Sequence, residues 1–153
     1  MAGAVGMSTI WDESSRREMR QRLARLRPDA PARWGRMTAT QAVAHLADAL
    51  RMAVGELRCK ETRSPLRYPI VKQVVIYWVP MPKGAPTAQE LVGRNPFSWG
   101  AEVADVEMLL DRLVRLPRTF AWPPHPLFGR LSRRAWGVVI YRHLDHHLRQ
   151  FGV

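Results

Sequence analysis

Four stretches of the chain repeat apolar residues at intervals of three or four positions, the spacing that lines one face of an α-helix. The clearest stripe is Trp99, Val103, Val106, Leu110 and Leu113. A capping box at Thr38 and Gln41 marks the start of the second stretch, and Ser132 is placed to cap the last one. The pattern predicts helices over the ranges Ser8–Leu26, Thr38–Leu57, Trp99–Leu116 and Ser132–Gln150.

Residues 58–98 form a long, proline-rich connection between the second and third predicted helices. Within it, PIVKQVVIYWVP (69–80) is rich in β-branched residues, which favour a strand. Pro69 suits a first helical turn instead. We favour the helix, because no second strand is available for pairing. The pattern therefore predicts an all-α, single-domain four-helix bundle over residues 1–153, with a short extra helix in its crossover and an unstructured segment at 1–7.

Composition is that of an ordinary soluble domain, with 46% apolar and 24% charged residues among 153. The single cysteine, Cys59, excludes a disulfide framework. No apolar run is long enough to cross a membrane, and the first residues lack the features of a secretion signal, so we expect a cytoplasmic protein. The net charge of +11 is spread over the chain. This favours a solvated basic surface over a nucleic-acid interface.

The candidate chemistry lies in YRHLDHHLRQ near the C-terminus. His143 and His147 are four residues apart, so they share one helical face with Trp136 and other apolar residues. Asp145 and His146 fall outside that face. The residues alone leave two interpretations open, because inward histidines can be polar core residues satisfied by hydrogen bonds as well as metal ligands.

A third inward histidine, His45, lies beside Ala42 and Ala49 in the second predicted helix. Two alanines leave space next to the imidazole for an ion. The sequence lacks the glutamate of HExxH metalloproteases and the Glu-x-x-His motifs of di-iron bundles. If a metal binds, we therefore expect a mononuclear site, for which zinc, nickel, iron and copper are equally suitable.

Several further residues are candidates for the surroundings of this site. Asp48 is placed to orient an imidazole or act as a base, although we favour a solvent-facing charge at the edge of the bundle. Trp136 and Gln150 are candidates to line a ligand pocket, with structural packing favoured for the tryptophan. For His125 we favour a structural role in its loop over ligation, and for Cys59 we expect an ordinary thiol.

Two segments carry a family resemblance. MTATQAVAHLADAL and HLDHHLRQFG resemble the metal-binding segments of the DinB-like superfamily of four-helix bundles. The longer stretch HPLFGRLSRRAWGVVIYRHLDHHLRQFG is similar to a branch described only as a domain of unknown function. The resemblance implies a divalent metal held by His45, His143 and His147. Some members of the superfamily are transferases or isomerases that use low-molecular-weight thiols. Despite the superfamily's name, the resemblance implies no DNA polymerase.

Three functions follow as hypotheses. The first is a metal-dependent thiol S-transferase or related small-molecule enzyme, with a low-molecular-weight thiol as co-substrate. The second is a metal-dependent hydrolase. The third is a non-catalytic metal- or ligand-binding module or a DNA-associated stress protein. We expect a small-molecule partner, no membrane partner and no nucleic acid, and we leave a homodimer open.

Overall fold

A computed structural model describes residues 7–85 and 87–153. This part of the chain is all helical and contains no strand, as predicted. Most of the segment predicted to be unstructured, residues 1–6, lies outside the described ranges, and Met7 is exposed. The α-helices are α1 (Glu13–Arg25), α2 (Ala39–Ala53), α3 (Pro69–Tyr77), α4 (Trp99–Arg115) and α5 (Arg133–Gln150).

Helix α1 begins five residues later than the periodicity predicts. Asp12 has an extended backbone at the N-cap position, and the residues before it form an anchor on α5 instead of a helical turn. The Ile10 amide donates to the Gly137 carbonyl at 3.0 Å, and Trp11 Nε1 donates to the Arg133 carbonyl at 2.8 Å. Trp11 therefore packs near the start of α5 and is not part of an α1 stripe.

Helix α2 starts with the predicted capping box between Thr38 and Gln41. It ends at Ala53, four residues before the predicted Leu57. Gly55 adopts a left-handed φ of 85°, a backbone conformation that residues with a Cβ rarely adopt. The Glu56 amide then reaches back to the Arg51 carbonyl at 2.8 Å, which closes the helix end.

The crossover contains the short helix α3, so the helical interpretation of residues 69–80 is confirmed. Proline at its first position supplies the φ that a helix start requires. Arg142 of α5 fixes the other end by donating to the carbonyls of Val75, Ile76 and Val79. Two 3-10 turns, Pro65–Arg67 and Gln89–Leu91, complete the crossover and were not predicted.

The four longer helices contact one another in a cycle. Helix α2 packs against α4 and α5, and α1 packs against the same two partners, while α3 lies on α5. Helix α4 ends one residue before the predicted Leu116, which is extended because Pro117 follows it. The predicted stripes fill the interior, including Leu23, Val43, Leu46, Leu50, Val106, Leu110 and Leu113.

No helix in the described ranges combines the length and apolar character that crossing a bilayer requires. This agrees with the hydropathy of the sequence.

Gly137 is the point at which the segment before α1 meets α5 most closely. A Cβ built there would overlap Trp11 Nε1 and Thr9 Oγ1. We predict that Gly137→Ala lowers the free energy of unfolding by about 1–3 kcal/mol, the cost of overpacking, in urea denaturation. Gly100→Ala is the matched control, because a Cβ in that helix meets no atom within 4 Å. It should be neutral or stabilising by up to about 1 kcal/mol. Equal effects at the two positions would contradict the prediction.

Candidate metal centre

Three histidines from two helices meet in the interior. His45 comes from the middle of α2, and His143 and His147 lie one turn apart on α5. Each ring offers one nitrogen to a group whose atoms all lie within 4.8 Å of one another. His45 Nε2 and His143 Nε2 are 2.9 Å apart. The structure thus brings together the three residues that helical geometry selected from the sequence.

The crossover fixes the orientation of His45. Its Nδ1 lies 2.9 Å from the carbonyl oxygen of Leu91, in the second 3-10 turn. A carbonyl can only accept, so the neutral ring carries its proton on Nδ1 and presents a lone pair at Nε2. A backbone acceptor behind a histidine is the usual means of fixing a ligand imidazole.

Gln150 performs the same task for His147. Its Oε1 accepts from His147 Nδ1 at 2.8 Å, and its Nε2 donates to the Trp34 carbonyl at 2.8 Å. The second bond fixes which end of the amide faces the imidazole. Gln150 was predicted to line a ligand pocket. It is not among the residues that line the two cavities beside the histidines, and it orients His147 from the next helical turn.

Burial keeps the three rings neutral. Desolvation lowers the pKa of His147 to about 3 and holds the pKa of His143 well below its usual range. It also lowers the pKa of His45, against the opposing effects of the Leu91 carbonyl and the Asp48 charge. Neutral imidazole is the form that ligates metal.

The donor set fits a mononuclear divalent ion. The Nδ1 protons of His45 and His147 are already bonded, so both rings carry their lone pair on Nε2, and that of His45 faces His143 Nε2. Around a tetrahedral ion with bonds of about 2.0–2.1 Å, two ligand nitrogens lie roughly 3.3 Å apart. The 2.9 Å between His45 and His143 is a few tenths of an ångström shorter. Side-chain movements that widen this pair, and that narrow any pair near the 4.8 Å limit of the group, would bring the nitrogens to the spacing of an ion site.

Asp48 has neither of the two roles considered from the sequence, the orientation of an imidazole and a solvent-facing charge. It neither bonds an imidazole nor faces solvent, since it is only 4% exposed. Arg94 Nε donates to its Oδ2 at 2.8 Å and Arg51 Nη1 to its Oδ1 at 2.7 Å. Asp48 is thus a structural anion, and its influence on His45 is limited to its charge.

The same Arg94 holds a second buried acid, Glu102, through two bonds of 2.6 and 2.7 Å. Glu102 is fully buried, and the Arg94 hydrogen bonds keep the pKa of its carboxyl below the usual range. Arg94 therefore ties the crossover to α2 and α4 together. Because it stands three residues after Leu91, it also stabilises the turn that orients His45.

Two cavities of opposite character flank the histidines. The apolar cavity, of about 50 Å³, lies between α2 and α5 and is lined by His143, His125, Trp136 and aliphatic residues such as Leu46 and Ile140. Trp136, a candidate to line a ligand pocket, lies in the wall of this cavity. The arginine cavity, of about 280 Å³, is lined by His45, Asp48, Arg36 and Arg94 among others.

The remaining candidates lie outside the histidine group. His146 packs edge-on against Trp34, with ring centres 5.5 Å apart, and Asp145 bonds Arg22 at 2.7 Å. Burial raises the pKa of the Cys59 thiol to about 11, which makes it a poor nucleophile. His125 holds its own loop, as predicted, because its Nδ1 accepts from the Leu127 amide at 3.1 Å.

Sequence reasoning missed the residues that support the site from the crossover. The Leu91 carbonyl has no side-chain signal, because any residue type would supply it. Arg94 and Glu102 are separated from Asp48 by 46 or more residues, so no local spacing connects them. His125 could be singled out from the sequence, because it is a histidine in a proline-rich loop before α5. Its position beside the cavity depends on how the loop folds, which the sequence does not show.

We predict that Arg94→Ala lowers the free energy of unfolding by about 3–5 kcal/mol, because it leaves the fully buried carboxylate of Glu102 without its cation and Asp48 with Arg51 alone. Urea denaturation measures the loss. Arg112→Ala is the matched control, because its ion pair with Glu56 is exposed. It should cost less than about 1 kcal/mol. A similarly small loss for Arg94→Ala would contradict the proposed role of the buried network.

A family model described as "Protein of unknown function (DUF1569)" matches residues 12–152. The match covers every α-helix and all three clustered histidines. No curated protein and no solved structure gives a significant match. The resemblance to the DinB-like superfamily stays a prediction. Because the matched region is nearly the whole chain, the protein belongs to the DUF1569 family of proteins of unknown function.

Proposed function

We propose that the protein is a DinB-like four-helix bundle that binds one divalent cation through His45, His143 and His147 and uses it in a small-molecule reaction, transfer of a thiol. The observation that carries the proposal is the position of the three imidazoles between two cavities of opposite polarity. A binding module needs one cavity for its ligand, whereas a transferase needs a place for each of two reactants.

A divalent ion bound by neutral ligands lowers the pKa of a coordinated water or thiol toward neutrality. The chain contributes three uncharged imidazoles, so the ion would keep its full positive charge in the site. Leu91 and Gln150 would hold two of the rings in the ligating tautomer. Helices α2 and α5 would keep bulk water from the inner side of the site.

The arginine cavity supports an anionic thiol as the first reactant. It is lined by His45 on one side and by the exposed guanidinium group of Arg36 on the other. Arg94 adds positive charge, although its guanidinium group is already shared by Asp48 and Glu102. We infer that Arg36 binds the acidic part of the thiol compound. The apolar cavity beside His143 would hold the electrophile.

The basic surface is proposed to be a solvated one and not a nucleic-acid interface. Arginines on α1 are bound by acids of neighbouring helices: Arg20 pairs with Glu107 and Asp111, and Arg22 pairs with Asp145. Paired guanidinium groups are less available to phosphates than isolated ones.

For the metal, we predict that protein purified without a nickel column contains about one equivalent of a divalent ion, measured by elemental analysis. His45→Ala and His147→Ala should each lose it, because two imidazoles rarely hold such an ion well. His146→Ala is the matched control on the same helix and should keep the metal. Retention of metal in both ligand variants would end the proposal.

For the reaction, we predict that a low-molecular-weight thiol raises the melting temperature of the metal-loaded protein but not of the metal-free protein. A panel of cysteine, glutathione and coenzyme A tests this.

The thiol that binds should add to methyl vinyl ketone faster with the protein present, with the sulfur bonded to the β-carbon and the proton on the α-carbon. His143→Ala should abolish the acceleration, and His146→Ala should not. If the protein instead hydrolyses a model ester in a metal-dependent reaction without thiol, the proposed thiol transfer is wrong and the protein is a hydrolase.

A further inference from the structure

The apolar cavity contains a binding element that the proposed function leaves unused. Its wall is formed mainly by aliphatic side chains of α2 and α5, including Leu46, Leu50, Val139 and Ile140. Apart from the candidate metal ligand His143, the lining residues that carry a polar side-chain group are His125 and Trp136. A ligand in this cavity is therefore recognised by shape and by few hydrogen bonds.

The tautomer of His125 follows from its own loop. Its Nδ1 accepts from the backbone amides of Leu127 and Phe128, at 3.1 and 3.4 Å. An imidazole nitrogen that accepts carries no proton, so the neutral ring has its proton on Nε2. The described residues provide no hydrogen-bond acceptor for this Nε2–H. His125 is therefore a donor without a protein partner.

The His125 ring is held firmly in place. Its backbone forms a reciprocal pair of 2.8 Å bonds with Gly129, which has a left-handed φ of 67°. The ring packs against Phe128 and Trp136, with ring centres 4.9 and 5.5 Å away. A donor on a fixed ring loses little entropy when it binds an acceptor, which favours a specific ligand.

Trp136 also carries an N–H donor without an acceptor among the described residues. It is 1% exposed, and its Nε1 is the buried side-chain nitrogen or oxygen atom that has no partner in the described part of the chain. An unsatisfied buried donor costs stability until an acceptor arrives. Two residues that line the cavity thus carry N–H groups without a protein acceptor in the described ranges, which favours a ligand that brings an oxygen acceptor.

We propose that His125 Nε2–H binds the oxygen of a small, uncharged aliphatic carbonyl compound in the apolar cavity. The assignment of this compound as the electrophile rests on the proposed thiol transfer. A volume of about 50 Å³ is room for only a few atoms, because one water occupies roughly 10–15 Å³ by the same measure. The aliphatic wall would leave a charged head group desolvated and without a partner. A short ketone or aldehyde satisfies both limits.

The test uses 2-butanone as the probe and the full-length protein, both zinc-loaded and metal-depleted. Methyl signals of Leu46, Val139 and Ile140 should shift saturably in NMR titrations. The Nε2 resonance of His125 should shift with the same Kd, since its proton gains an acceptor. A wild-type protein without saturable shifts, or with an unmoved His125 Nε2 signal, overturns the proposal.

Two substitutions at His125 separate the cavity donor from the loop acceptor. His125→Asn retains an oxygen close to Nδ1 and removes the distal donor, whereas His125→Gln retains a distal N–H. We expect His125→Asn to weaken 2-butanone binding about fivefold or more, the loss of one hydrogen bond, and His125→Gln to stay within about twofold of wild type. The isosteric alkene 2-methyl-1-butene, which has no acceptor oxygen, should not distinguish the three proteins. Equal ketone binding by wild type and His125→Asn overturns the proposal.

The two proposals fail in different experiments. If the histidine group does not bind metal, elemental analysis is negative, while ketone binding by the metal-depleted protein is unaffected. If the carbonyl site is wrong, the metal and thiol results stand, and only the ketone titrations are negative.

Discussion

The structure depends on keeping three neighbouring imidazoles neutral inside a helical protein. A protonated ring there would be desolvated and would face two similar rings, and both effects oppose the charge. Burial lowers the pKa of all three rings. The Leu91 carbonyl and the Gln150 amide then bind Nδ1–H of His45 and His147, so that their lone pairs face one another. His143 Nε2 lies at hydrogen-bond distance from the His45 lone pair, and a cation would take the place of the proton between them.

The orientation of this group depends on the crossover as much as on the helices that carry the histidines. Arg94 binds Asp48 on α2 and Glu102 near the start of α4, and this fixes the segment that ends the crossover. The Leu91 carbonyl behind His45 belongs to the same segment. A buried ion pair is a costly way to gain stability, because both ions lose their hydration. Here its contribution is positional, since it holds a backbone acceptor against a ligand ring.

The helices and the histidine group were predictable because local rules determine them. The Thr38 capping box, the proline at position 69 and the four-residue spacing of His143 and His147 act within one or two turns. Of the two alanines near His45, Ala49 lines the apolar cavity, whereas Ala42 lines neither cavity. The pattern did not reveal where α1 starts, because Trp11 falls at helical spacing from the apolar residues of α1 but binds α5 instead.

What the sequence could not predict was set by contacts distant in the chain. Asp48 was expected at the surface, but the crossover returns to cover it with Arg94. Gln150 was predicted to line a ligand pocket, and its bridge between Trp34 and His147 depends on a contact 116 residues away in the chain. His125 was expected only to support its loop, yet the loop folds back so that one ring nitrogen serves the backbone and the same residue lines the cavity between α2 and α5.

The distribution of the histidines over two helices has a mechanical consequence. His143 and His147 belong to one rigid segment, so their mutual distance is fixed by the rise of one helical turn. His45 alone belongs to the other helix, and the separation of α2 from α5 is the main coordinate that opens or closes the triangle. If the group binds metal as proposed, residues between these helices, away from the three rings, would tune which radius of ion fits. Preference for one ion over another could then change during evolution while the three imidazoles themselves remain untouched.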